Sequence, residues 1–93
     1  MFIGCSKLTS VTIGNSVTTI GVYAFYNCTA LTSVTIAPGV TKITANAFDG
    51  CSSLKEISFK GTTSEWNAVT KEDGWKISSA ITTVHCTDGD VTV

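Results

Sequence analysis

Short coils stacked into a strand-dominated α/β solenoid are what this chain encodes, and three observations say so. First, residues 5–27 and 28–50 are two copies of one 23-residue unit. They share Cys5/Cys28, Leu8/Leu31, Thr9/Thr32, Ser10/Ser33, Val11/Val34, Thr12/Thr35, Ile13/Ile36, Val17/Val40, Thr18/Thr41, Ile20/Ile43, Ala24/Ala47 and Phe25/Phe48. Second, each copy alternates apolar and polar residues over a few positions and then turns, the pattern of a strand with one buried face. Third, 16 Thr and 10 Ser make up more than a quarter of 93 residues. That bias favours strand and turn over long helix.

Within a copy the order is strand, turn, short apolar segment, turn. Val11-Thr-Ile13 alternates, and the loop chemistry of Gly14-Asn-Ser16 or Ala37-Pro-Gly39 follows. Val17-x-x-Ile20 and Val40-x-x-Ile43 form the second apolar segment, and Ala24-Phe25 or Ala47-Phe48 closes the circuit before the next Cys. A third copy opens at Cys51 with Leu54, Ile57 and Phe59, then decays, although Trp66 falls where Ile20 and Ile43 stood. Phe2 lies 23 residues before Phe25, so the chain starts inside an earlier coil. One coil cannot bury its own apolar face, whereas stacked coils share a core. The expected spines are Leu8/Leu31/Leu54, Val11/Val34/Ile57, Ile13/Ile36/Phe59, Ile20/Ile43/Trp66 and Phe2/Phe25/Phe48. Residues 1–61 read as the repeat body and residues 62–93 as a C-terminal capping segment.

The capping segment changes character. Thr62-x-x-Glu65 has capping-box spacing, and Ser64 is a suitable N-cap for a short helix over 65–70, with Trp66 and Val69 as its buried stripe. Residues 71–74 are expected to end it, with Trp75 and Ile77 folding back over the core. Over residues 81–86 simple alternation puts Ile81 or Val84 inward but not both. It favours Thr82, Val84 and Cys86, or else a bulge near Thr83. Asp88-Gly89 reads as a turn with two solvated carboxylates nearby, and residues 91–93 as a last strand. The N-terminus shows no comparable cap, so Met1-Phe2 opens onto a bare core end.

Charge excludes several functions. Net charge is -1, 14% of residues are charged, and the six basic residues are all scattered lysines. A nucleic-acid binder needs a clustered basic footprint. The uncharged run over residues 8–41 is too rich in Thr, Ser, Gly and Asn to enter a membrane. No basic leader followed by an apolar stretch opens the chain, so a signal peptide is not expected within it.

The pattern C-x-x-L-x-x-V-x-I, then V-x-x-I, then A-F-x-x-C, resembles the BspA-type leucine-rich repeats. The match runs from Phe2 to about Gly61, and the stretch from Gly61 through Trp75 to Asp90 resembles the end of such arrays. The resemblance implies a right-handed stack of parallel strands whose sheet forms a concave face. It also implies adhesion or protein binding at a bacterial cell surface or outside the cell, rather than catalysis.

Candidate chemistry is sparse. Cys5, Cys28 and Cys51 hold one position in three coils and are expected to form a column of buried thiols serving as small core residues. The column also permits a disulfide or a soft-metal site, but paired C-x-x-C spacing is absent and no metal or cofactor is expected. His85 and Cys86 are strand neighbours that point to opposite faces, so they are not a catalytic pair. Asp88-Gly-Asp90 lacks the rest of a calcium loop. The outward sheet strip remains: Ser10, Thr12 and Gly14, then Ser33, Thr35 and Ala37, then Glu56, Ser58 and Lys60. Of these, Ser10, Thr12, Ser33, Thr35, Glu56, Ser58 and Lys60 are the candidate protein-contact residues, with Tyr23, Tyr26 and Asn46 behind them. The expected partners are another protein, or a second copy docking through the N-terminal coil.

Overall fold

The computed structural model describes residues 7–21, 24–76 and 79–93. Each coil gives one strand to each of two sheets. Ser10–Ile13 (β1), Ser33–Ile36 (β3) and Glu56–Phe59 (β5) pair in parallel, with Val11, Val34 and Ile57 in one row and Ile13, Ile36 and Phe59 in another. Thr19–Ile20 (β2) and Lys42–Ile43 (β4) pair in parallel in the second sheet. Both ladders keep the 23-residue offset of the sequence, because identical coils in register bury identical side chains against one another.

Between the sheets lies a core of Leu31, Val34, Ile36, Val40, Ile43, Phe48, Leu54 and Ile57, all buried. Each such side chain contributes roughly 1.5–3 kcal/mol by leaving water. Phe25 and Phe48 stack with ring centres 5.3 Å apart, and Trp75 meets Phe48 edge-on at 6.2 Å. Phe2, expected in the same spine, lies outside the described residues, as do Met1, Cys5, Tyr23 and Ile77. The turns repeat as well. Asn27 and Gly50 take positive φ at one repeat position (55° and 82°), and Asn46 and Gly74 at another (61° and 80°). These are the residues that tolerate the left-handed region.

The third coil is longer, and the difference is a helix. Val84 stands opposite Ile57 in the ladder, 27 residues later. Part of the excess forms Thr63–Ala68 (α1). Thr62, not Ser64, is its N-cap: the Glu65 N–H donates to the Thr62 hydroxyl at 3.2 Å and the Thr62 N–H donates to Glu65 Oε1 at 3.0 Å. That reciprocal pair sets the start, so Ser64 lies inside the helix. The helix also stops earlier than expected, at an extended Val69, because Thr70–Lys71 (β6) leaves to pair with β4. Lys71 Nζ donates to the carbonyls of Trp66 (2.9 Å) and Val69 (2.8 Å) and lies 4.6 Å from the Trp66 ring centre. Partial burial lowers its pKa.

Two expected positions shift. In the second sheet Lys71, not Trp66, stands opposite Ile43. Trp66 reaches the core from the helix instead, edge-on to Phe59 at 5.4 Å and Trp75 at 5.9 Å. Ile81 and Val84 are both buried while Thr82 is exposed. Simple alternation failed here because Ile81 precedes the strand, as Leu31 and Leu54 precede theirs. Thr83–Cys86 (β7) begins two residues later and pairs in parallel with β5. Gly89–Thr92 (β8) then folds back antiparallel on β7, giving a sheet ordered β1-β3-β5-β7-β8 beside β2-β4-β6. The chain is a strand-dominated solenoid of stacked coils, with one short helix among the described residues.

A candidate protein-contact face on the five-stranded sheet

With Val34, Ile36, Ile57 and Phe59 turned inward, the alternate residues of each strand face solvent. Ser10, Ser33 and Glu56 form one row, and Thr12, Thr35 and Ser58 the next. Lys60 follows β5 and is exposed, its N–H donating to the Ile36 carbonyl at 2.9 Å. The seven candidate residues therefore lie together on one face. Ala37, expected to point out with them, is buried at 8% exposure, because it lies beyond the end of β3 where the chain turns toward Val40.

The face is wider than three coils. Thr83 and Thr92 extend the first row, and His85 and Asp90 the second. One end is thus short hydroxyls without charge, and the other a charged group centred on His85. Its Nδ1 lies 2.7 Å from Asp90 Oδ1 and its Nε2 3.3 Å from Glu56 Oε2. Both ring nitrogens face carboxylates, an arrangement that only the doubly protonated ring satisfies with two donors. Hydrogen bonds to Asp90 and then Glu56 raise its pKa above the ordinary histidine value.

Strand alternation sets His85 on the face opposite Cys86 and names no partner for it. Glu56 is 29 residues away, and nothing local signals that contact. The Asp90 contact was hidden by the turn: a two-residue Asp88-Gly89 turn would set His85 across from Thr92, whereas the hairpin turns at Thr87-Asp88 and pairs His85 with Asp90. Asp88 is not simply solvated either. It accepts from the Thr63 N–H at 2.7 Å and tethers the hairpin to the first turn of α1.

Cys28 and Cys51 are fully buried, and Cys86 is half-buried. The Cys51 thiol donates to the Phe25 carbonyl, 26 residues earlier, at 3.0 Å. Burial pushes its pKa up to about 11, with a smaller contribution from Cys28. A thiol so protonated is a hydrogen-bonding core residue and a poor nucleophile. Cys86 packs toward the core on the other side of β7 from His85, and burial raises its pKa, aided by Asp88 and Asp90. Among the described residues no group of three His, Cys, Asp or Glu side chains is arranged to hold a metal ion. None of their helices is long and apolar enough to cross a membrane. Tyr26 and Asn46 are half-buried in the turns.

Comparison with known proteins places this geometry. A family model described as a BspA type leucine rich repeat region, in six copies, matches residues 1–86. A leucine rich cell surface protein from Faecalibacterium prausnitzii A2-165 is 39% identical, with a TM-score of 0.70 over 74% of this chain. The matched region is 18% of that longer protein. No curated protein sequence matches the chain. The repeat, the two parallel ladders and the family match agree, and the chain belongs to the BspA-type leucine-rich repeat family.

Proposed function

We propose that this chain is a non-catalytic protein-binding and adhesion module of a bacterial cell-surface or secreted repeat protein. The observation that carries this reading is the five-strand outward face. Its two rows of short hydroxyls give a broad polar surface suited to another macromolecule. Ser10, Thr12, Ser33 and Thr35 supply the uncharged part, and Glu56, Ser58 and Lys60 the charged margin beside His85. A surface location is supported by the relative from Faecalibacterium prausnitzii, a cell surface protein by name.

The test is adhesion of the fluorescently labelled chain to intact bacterial and epithelial cells, read by flow cytometry. Ser33→Lys combined with Thr35→Lys is expected to cut binding at least tenfold, while Ser52→Lys in an exposed turn leaves it unchanged. Binding that is equal in all three proteins, or absent from every cell type, overturns the reading.

A further inference from the structure

The fold holds the two carboxylate partners of His85 in unequal ways. Asp90 stands directly across from His85 in the β7–β8 ladder, and its Oδ1 lies 2.7 Å from Nδ1. Glu56 is placed differently. The β5–β7 ladder sets Thr83 opposite Glu56 and His85 opposite Ser58. Glu56 therefore reaches Nε2 along the diagonal, at 3.3 Å. Its side chain is 62% exposed, so rotation about its own bonds carries the carboxylate into solvent and leaves the strand pairing intact.

A doubly protonated ring has a donor for each carboxylate, and a neutral ring has only one. The shorter contact keeps that donor on Nδ1, toward Asp90. Nε2 then turns a lone pair on Glu56 Oε2, and two acceptors repel. Loss of the proton thus undoes the Glu56 contact and changes the group from one net negative charge to two. Nothing nearby offsets the change. From β5 Glu56 faces the ring, and from β8 Asp90 does. In α1, which packs beside β8, Glu65 accepts from the Thr62 N–H, and Asp88 is held by the Thr63 N–H. Cys86 lies on the other side of β7. Lys55 and Lys60, exposed on either flank of β5, make no ion pair among the described residues.

We propose that His85 is a pH switch of the contact face, clamping Glu56 while protonated and, on losing its proton, releasing it to pair with a Lys or Arg side chain of a protein partner. This rests on the reading of the sheet face as a protein-contact surface. The hydrogen bonds to Asp90 and Glu56 hold the ring's pKa above its ordinary value, so the change falls above pH ~6.5. The face accordingly takes a cationic partner at mildly alkaline pH and lets it go on acidification.

The test is an NMR titration of the isotope-labelled full chain at low salt with an end-blocked tetralysine peptide, whose charge is constant between pH ~6 and ~8.5. Over that range the affinity is expected to rise about fivefold, the effect of one unit charge about 4 Å away in water. The Glu56 signals should move most. His85→Gln, neutral throughout, is expected to bind at the lower pH as tightly as the parent chain does at the higher one. His85→Lys, charged throughout, should bind weakly at both, and Glu56→Gln should abolish the rise. An affinity that is flat with pH overturns the proposal, as does a rise that survives in His85→Gln. Peptide shifts centred away from Glu56, or no peptide binding at all, also overturn it. Because the peptide stands in for the partner, the two readings fail separately. Cell adhesion that fails while this titration succeeds removes the adhesion module and keeps the switch, and the reverse result removes the switch alone.

Discussion

At the C-terminal end of the stack the last core residues meet Trp66, Trp75 and the Lys71 side chain, and the terminal hairpin is tied down by His85 and Asp88. In the first described coil Ile13, Ile20 and Phe25 are buried too, but Val11 is only half-buried where Val34 and Ile57 are fully so. The first and last described coils thus differ in what their residues supply. The comparison shows where this family's sequence has to depart from its own repeat. An interior coil needs only to be a copy, because its neighbours supply the surfaces it lacks. The residues after Gly61 leave the 23-residue pattern and add a helix, β6 and the β7–β8 hairpin.

If that reading is right, substitutions at the two ends should differ in cost, and the largest loss should be at the closed end. Trp66→Ala removes a side chain at 1% exposure that packs on Phe59 and Trp75. It is expected to cost about 3–5 kcal/mol in urea unfolding. A cost below about 1 kcal/mol would mean that the cap does not close the core. Thr62→Ala breaks the capping box and is expected to cost about 1 kcal/mol by the same measurement. Thr62→Ser, which keeps the hydroxyl, should recover most of the loss. Val17→Ala, at an exposed position of the first described coil, is expected to stay within about 0.5 kcal/mol. A loss matching that of Trp66→Ala would erase the contrast between the ends.

The smallest effect is expected at His85, and its sign follows from protonation. Its pKa is raised in the folded chain. The His85 contribution to stability is therefore full below the unfolded value near 6.5 and disappears as pH rises through the higher folded value. NMR titration of the ring should give a midpoint above 6.5, and the Asp90→Asn variant should lower it. Glu72 acts at the other end of the scale. The Ala45 N–H and the Lys42 ammonium hold its carboxyl below the usual range. Its contribution is present above the unfolded carboxylate pKa and is lost as pH falls through the lowered one.

How much was legible varies along the chain for a physical reason. In residues 7–59 the offset between two copies is also the register of two strands, so Val11, Val34 and Ile57 could be set side by side without coordinates. Coils of equal length superpose their buried faces by construction. Past Gly61 the coil lengthens, and that shortcut ends. Trp66 was placed in a ladder that Lys71 occupies, and Ile81 was set against Val84 although the fold buries both. Alternation describes a strand, but it does not say where the strand begins.

The sequence by itself determined the repeat, the two parallel ladders, the columns of core residues and the capping-box spacing of Thr62 and Glu65, but not the choice of Thr62 over Ser64 as N-cap. These depend on neighbours along the chain, or on copies at a constant spacing. Tertiary structure alone decided that β6 and β7 rejoin the ladders after the helix. It alone brought Glu56, His85 and Asp90 to one point. Those outcomes turn on which strands lie side by side in space, and contacts between residues of unequal coils leave no period for a sequence to display.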